Sequence, residues 1–398
     1  MTNAIESFAQ ILDPVTPETF FAEYHDKKPL HVPGTPEKFA GVMSWPVLND
    51  LLNMTAVWSA TSLQLMLDKE TVPPARYCRP AVDRNNARVM QPDAELVGAL
   101  LRQGASLVAN DIDTLTSELA AVADGLEAAL GAKAQANLYC SWRERQAFDS
   151  HFDTHDVYAL HVEGEKVWRI YETRVETPIA HPRFKTLGQA HHDRAKGAVA
   201  REVTLRPGDL LYLPRGQYHD ALASSQGSVH LSFGLTAIIG IDFLDTLRDL
   251  AIEDPLFRAN VPAPAFATKA QIGTHLKRLA ARLGEIAEQS EAAAQFRALQ
   301  EAHHYKRRGY GLPGAAMVQE YRVRAGDLKV AQVGGRWALT GKSGAVPIPS
   351  GAERFVAWIM DRDGFSGTEI EKAFPDQSAD ECGKLLGELA AMKVIEPV

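Results

Sequence analysis

The stretch HFDTHDVYALHVEGEKVWRIY (residues 151–171), answered by RPGDLLYLPRGQYH (residues 206–219), decides the fold. Inside it, residues 156–162, 167–171 and 210–213 are short, apolar runs of Val, Leu, Ile, Tyr and Trp, the composition of strands. Gly164 and Pro207-Gly208-Asp209 supply tight reversals between them. Residues 202–205 and 228–235 extend the pattern. Several short strands punctuated in this way favour a sandwich or barrel over a parallel α/β sheet. The expected fold is a mainly β core, specifically a double-stranded β-helix, with flanking helices.

Polar residues inside this apolar stretch point to chemistry. Along an extended chain alternate side chains share a face, so His151 and Asp153 point together while Phe152 turns away. His219 follows the apolar run 210–214 and is expected at the end of an adjacent strand. Two imidazoles and one carboxylate on one side of a metal leave its other positions open, as in non-haem Fe(II) oxygenases that bind a cosubstrate and O2 together. His191-His192-Asp193 repeats the triplet, but in a polar stretch without an apolar strand after it, and reads as a surface loop. His155 follows His151 at the spacing of a zinc-binding helix pair, yet the surroundings are β-like and no glutamate follows His151. It reads as a packing group beside the site, and His161 as a strand residue.

Such an iron site draws electrons for O2 from a dicarboxylic 2-oxo acid, whose far carboxylate needs a fixed cation. Lys166 is the first candidate and Arg169, with its bidentate fork, the second. Phe148, Phe152, Tyr158 and Trp168 are candidate apolar walls.

Outward from this core, helical spacing covers 46–52, 94–102 and 115–130, the last with Gly131 at a C-terminal cap. After residue 240 the pattern turns helical, interrupted at Asp254-Pro255 and over 261–266, and resumes from 269 to about 302. A strand pattern over 321–339, a Gly/Pro/Ser-rich connector over 341–351, and helices near 352–361, 367–374 and 379–391 follow in the order of a winged-helix-like module. The expected domains are a catalytic domain with an N-terminal extension (1–240), a helical domain (241–312) and the winged-helix-like domain (313–398).

Composition narrows the partners. The chain has 398 residues, with 42 basic and 50 acidic side chains, a net charge of −8. Residues 351–398 carry five Lys/Arg against ten Asp/Glu, so the terminal module lacks the basic face that DNA binding requires. HHYKRR (303–308) is the one local basic patch and reads as a solvated linker. The 3 cysteines form no CxxC pairing, which disfavours a disulfide framework or thiolate zinc site and suits a reducing cytoplasm. Neither an export leader nor an apolar run of membrane-spanning length is evident, so neither export nor membrane spanning is expected.

Taken with NLY (137–139) and FFAEYHDKKPLHV (20–32), the two opening stretches resemble the JmjC/cupin-type ribosomal oxygenase family over nearly the whole chain. The resemblance implies an Fe(II)- and 2-oxoglutarate-dependent hydroxylase using O2. His151, Asp153 and His219 would be its metal ligands and Lys166 would hold the cosubstrate's far carboxylate. Asn137 would help bind 2-oxoglutarate, and Tyr139 would stand close to the substrate. The resemblance further implies a homodimer formed through the middle helices and a substrate that is an arginine or histidine side chain of a ribosomal protein. The sequence departs from the family at CSWRERQAF (140–148), where a Thr-Pro-type segment is common, and at His161, where glutamine is common. Two alternatives stay open: the same chemistry on a peptide or small molecule, and a non-catalytic metal-binding cupin scaffold.

Overall fold

A computed structural model describes the chain except residues 1–4, 6, 83–87, 143–147, 225–226, 308–318, 325–327, 334, 342–343, 350 and 398. It divides into two units, Met1–Arg307 and Arg308–Val398.

The first unit is built on strands β1 (Leu30–Val32), β2 (Leu63–Leu67), β3 (Glu70–Thr71), β4 (Cys78–Val82), β5 (Arg88–Pro92), β6 (Ser106–Ala109) and β7 (Ala132–Ser141). It continues with β8 (Asp156–Glu163), β9 (Lys166–Arg174), β10 (Val199–Leu205), β11 (Leu210–Leu213), β12 (Gln217–Ala223) and β13 (Ser228–Ala237). A large antiparallel sheet runs β1-β11-β8-β13-β7-β6-β2-β3, and β10-β9-β12 form a second. Val157, Ala159, Leu211 and Leu213 of the large sheet pack on Trp168, Ile170, Val203 and Leu205 of the small one. The strands expected from the opening stretches are all present, two facing sheets with a core between them, as the JmjC/cupin fold requires.

Local chemistry sets the register. Gly208 takes φ +96° against Thr35, where a Cβ would lie 1.9 Å from the carbonyl oxygen. Asp209 next to it accepts from the backbone N–H groups of Gly34 (2.9 Å) and Arg206 (3.0 Å) and lies 3.2 Å from His31 Nε2. The Pro-Gly-Asp turn thus ties the N-terminal extension to the core, and β1 pairs with β11. Behind β7 lies the helix Ser117–Leu130, capped by the Thr116 side chain at one end and by left-handed Gly131 at the other. Its Leu119, Val122, Ala123 and Leu126 are fully buried in the same apolar cluster as Ala134, Ala136 and Leu138 of β7.

Helices Gly240–Glu253, Pro255–Arg258, Lys269–Ala287 and Ser290–Ala302 follow β13 and share a small core of Leu247, Ala251, Ile286 and Ala292. Ile241, Leu244, Ile252, Phe266 and Leu276 remain exposed. The basic patch after them is not a solvated linker. The Arg307 side chain, 1% exposed, pairs through Nε with Asp113 at 2.7 Å and through its terminal nitrogen with Glu127 at 2.8 Å and Asp124 at 3.0 Å. Its partners lie far back in the sequence, so spacing gave no sign of them. Arg308, the end of that patch, is outside the described residues.

In the second unit, Gly364–Ser366, Glu320–Val323 and Ile395–Pro397 form one three-stranded sheet, and Lys329–Val333, Arg336–Gly341 and Gly344–Pro347 another. Helices Glu353–Met360, Gly367–Ala373 and Ala379–Ala391 cover a core centred on Phe355, Ile359, Ile370 and Leu386. Capping boxes Ser366/Glu369 and Ser378/Glu381 start the last two helices.

Candidate active site

Strand β13 lies between β7 and β8. Its register sets His230 against Tyr139 and His161, Ser232 against Asn137, Gly234 against Gln135, and Thr236 against Lys133. The polar residues of β7 and β13 alternate with apolar ones facing the opposite side, and they line a cavity of about 190 Å³. His151, Asp153, Lys166 and His219 line the same cavity.

The ligand-capable atoms of His151, Asp153 and His219 all lie within 4.8 Å of one another. His219 Nε2 is 3.6 Å from the Asp153 carboxylate. The backbone enforces this proximity: the His151 N–H donates to the His219 carbonyl at 3.0 Å, and the His219 N–H returns the bond at 2.9 Å. This single bridge replaces the continuous strand that side-chain alternation suggested for the triplet; β8 begins only at Asp156. Phe152 turns away, as alternation requires, onto Tyr171 and Tyr218.

Each imidazole is oriented from behind. His151 Nδ1 donates to the Asp149 carbonyl at 2.7 Å, and His219 Nδ1 to the Gln217 carbonyl at 3.0 Å. Each Nδ1 thus points its N–H at the backbone and leaves Nε2 as the nitrogen that a divalent metal would take. Burial, with His151 acting in the same direction, pushes His219 down to about 4, so it stays neutral. Burial alone would raise the Asp153 carboxyl, but His151, His155 and His219 together hold it below its ordinary value, so it stays ionised. The donor set fits a divalent ion of the iron type.

Lys166 opens β9, paired with Leu205 and Ala223, and is 5% exposed. Burial pushes its ammonium down to about 8. No carboxylate pairs with it among the described residues. Arg169, the second candidate, instead lies 3.6 Å from Glu202 and 3.9 Å from Asp220 and does not line the cavity. Asn137 Oδ1 accepts from the Asp111 N–H at 3.2 Å. Tyr139 stacks on His230 with centroids 5.0 Å apart, and burial, followed by the Asp153 charge, pushes its phenol up to about 12.

All six residues singled out in the sequence thus line one cavity, together with Phe148 and Trp168; Phe152 and Tyr158 do not line it. Residues 143–147 of the divergent segment lie outside the described residues. His191-His192-Asp193 sits in the helix Gln189–Ala195 rather than in a loop, with His192 Nδ1 3.1 Å from the Tyr218 hydroxyl. Sequence reasoning missed His230, Ser232 and Gly234. A Cβ on Gly234 would stand 2.6 Å from the His155 ring, so this glycine makes room for the imidazole. The alternation in SVHLSFGLTA (228–237), polar and small on one face and apolar on the other, was the available signal.

Comparison with known proteins supports the same assignment. Residues 110–242 match the JmjC domain. Bovine ribosomal oxygenase 2 is 27% identical over 296 residues, covering 69% of this chain and 60% of the relative. Chicken ribosomal oxygenase 1 is 29% identical over 223 residues, covering 55% and 34%. The bifunctional lysine-specific demethylase and histidyl-hydroxylase NO66 of Drosophila persimilis is 27% identical over 236 residues, covering 58% and 32%. The chain therefore spans about 60% of the bovine relative's length and less of the others. The crystal structure of E. coli ycfD shares the fold, with a TM-score of 0.51 at 16% identity over 96% of this chain and 98% of that one. With a JmjC domain over residues 110–242, facing antiparallel sheets and a His-Asp-His cluster, the chain is similar to the JmjC/cupin-type ribosomal oxygenases.

Proposed function

We propose that this protein is an Fe(II)- and 2-oxoglutarate-dependent oxygenase that uses O2 to hydroxylate an arginine or histidine side chain of a ribosomal protein. One observation carries the reading: a buried ammonium without an anionic partner among the described residues, Lys166, shares a cavity with a three-ligand metal cluster. An unpaired buried charge is costly unless a ligand completes it, and a dicarboxylate anchored at the metal does so with its far end.

In this reading His151, Asp153 and His219 hold the iron. Bound iron, 2-oxoglutarate and O2 supply the oxidising power that inserts one oxygen atom into a C–H bond. The chain's own residues do the rest. Lys166 donates charge-assisted hydrogen bonds to the far carboxylate, and Asn137 supports the same cosubstrate. Tyr139, a neutral phenol on the cavity wall, stands beside the substrate. Phe148 and Trp168 keep bulk water from the reacting centre.

The same proposal includes a homodimer through helices 240–302, supported by exposed Ile241, Leu244, Ile252, Phe266 and Leu276. It assigns the second unit a winged-helix-like role in protein contact rather than DNA binding, in keeping with the five Lys/Arg against ten Asp/Glu of residues 351–398. Residence in the cytoplasm accords with Cys78, Cys140 and Cys382, all buried and free. Among the described residues no helix is long and apolar enough to cross a membrane. The test is succinate formation from 2-oxoglutarate by the Fe(II)-loaded protein, with and without a ribosomal-protein extract. Turnover lost in His151→Ala and stimulated by extract is the expected result; no succinate despite confirmed iron occupancy overturns it.

A further inference from the structure

The cavity extends beyond the parts that the proposed chemistry uses. Its β7 wall runs through Tyr139, Asn137, Gln135 and Lys133, seven residues of strand, or about 20 Å at the rise of an extended chain. The metal cluster and Lys166 account for the inner end. At the outer end stand Lys133, Thr236 and Tyr305. Tyr305 belongs to neither sheet; it comes from the segment that follows the helix Ser290–Ala302.

That segment is fastened to the β core on both sides of Tyr305. His303 Nε2 lies 2.9 Å from the carbonyl of Thr236 on β13. The Tyr305 N–H donates to Glu127 at 3.2 Å, and Arg307 is buried against Asp113, Asp124 and Glu127 while also donating to the Ala134 carbonyl. Tyr305 is 46% exposed, with Lys133 Nζ 5.3 Å and the Arg307 guanidinium 5.6 Å from its ring centroid. A connecting segment with no role beyond linkage has no need of a buried arginine holding three carboxylates. Here it presents one aromatic face, held in place but open to solvent, along the outer cavity wall.

We propose that Tyr305 and Lys133 form a subsite for a residue flanking the oxidised one, so that the substrate is an extended polypeptide rather than a free amino acid or small metabolite. The inference rests on the oxygenase reading and deepens it. A target side chain reaching the metal spans the inner part of the cavity, and the outer strand ends remain for the chain that carries it. Tyr305 offers a flat surface for a neighbouring substrate side chain, and Lys133 an ammonium for a substrate carbonyl. Tyr305 is thus a specificity-determining residue outside the metal site.

The experiment compares full-length wild type, Tyr305→Ala and Tyr305→Phe, each loaded with Fe(II). Three readouts are taken: 2-oxoglutarate consumption without substrate, oxidation of free arginine and histidine, and one-oxygen mass gain in a ribosomal-protein extract. Expected are unchanged substrate-free consumption in all three proteins, no oxidation of free amino acids, and polypeptide kcat/KM lowered about tenfold in Tyr305→Ala through KM, with Tyr305→Phe close to wild type. Equal polypeptide kcat/KM in Tyr305→Ala and wild type overturns the subsite. So does oxidation of free amino acids as efficiently as polypeptide, or consumption of 2-oxoglutarate with no polypeptide oxidised. Absence of any 2-oxoglutarate consumption by wild type is a separate result, and it removes the oxygenase reading itself.

Discussion

Replacing Lys166 with methionine should stabilise the protein while depriving it of its cosubstrate. The ammonium is 5% exposed, and burial lowers its pKa from 10.5 to about 8. A lysine whose folded-state pKa is depressed destabilises the folded state wherever it is protonated, fully below pH 8, with relief as the pH rises from 8 towards 10.5. The shift of about 2.5 units corresponds to about 3 kcal/mol at pH 7. Lys166→Met keeps an apolar stem of similar length and removes the charge, so the metal-free protein should gain up to about 3 kcal/mol, a rise in Tm of several degrees. Above pH 10 the difference should shrink. Binding should move the other way: calorimetric titration of the Mn(II)-loaded variant with 2-oxoglutarate should show affinity reduced by at least about 100-fold, the scale for losing one partner of a buried charge pair. An unchanged or lower Tm would mean that the ammonium already has an acceptor in the free protein. Retained 2-oxoglutarate affinity would mean that another group holds the far carboxylate. Either result refutes the argument from the unpaired charge.

Other consequences follow from the same geometry. The wild-type kcat/KM for 2-oxoglutarate should fall about tenfold per pH unit above about 8, as Lys166 in the free enzyme loses its proton, with a plateau below; a flat profile to pH 9 would exclude that titration. Asp153→Ala should lose Fe(II) binding, read by competition with a chelating dye, yet retain a cooperative thermal transition. Gly208→Ala places a Cβ 1.9 Å from the Thr35 oxygen at φ +96°, and should lower stability by more than about 2 kcal/mol in chemical denaturation. Arg307→Met leaves Asp113 and Glu127 buried without their cation and should lower stability by about 3 kcal/mol; a neutral effect would show that those carboxylates find other partners.

Much of the β core was legible because its strands are short runs of apolar and β-branched residues set between turn residues that fit one backbone conformation each. Gly208 is an example, since its φ and its contact with Thr35 both demand the absence of a side chain. Strand β12 was harder to read. It bears His219, but Gln217 and Asp220 break its apolar pattern, and both are satisfied inside the protein: Gln217 donates to the Tyr171 carbonyl at 2.7 Å, and Tyr171 donates to Asp220 at 2.5 Å. The cluster of ligands was visible as residue types, but its cause, a bridge between backbones at 151 and 219, was not. His230 and Ser232 escaped notice because only the register with β7 and β8 shows which face of β13 looks inward. Arg307 read as solvated because its three carboxylate partners come from a helix and a loop more than 170 residues earlier.

The two-way bridge between His151 and His219 bears on how this protein lives with its metal. Where ligands are gathered by the ion itself, as in small zinc domains, removing the ion unfolds the chain, and the affinity contains the free energy of folding. Here the two imidazoles are held side by side by main-chain hydrogen bonds and aimed by the carbonyls of Asp149 and Gln217. The ion can therefore leave and return without the protein passing through an unfolded state. Exchange becomes a local event, and its outcome depends on which divalent ion is abundant and on ligand preference among Mn, Fe, Co, Ni and Zn. A site so prepared recovers from chelation or oxidative loss by simple reloading. By the same token it has little means of refusing the wrong metal, so fidelity for iron falls to the supply in the cell.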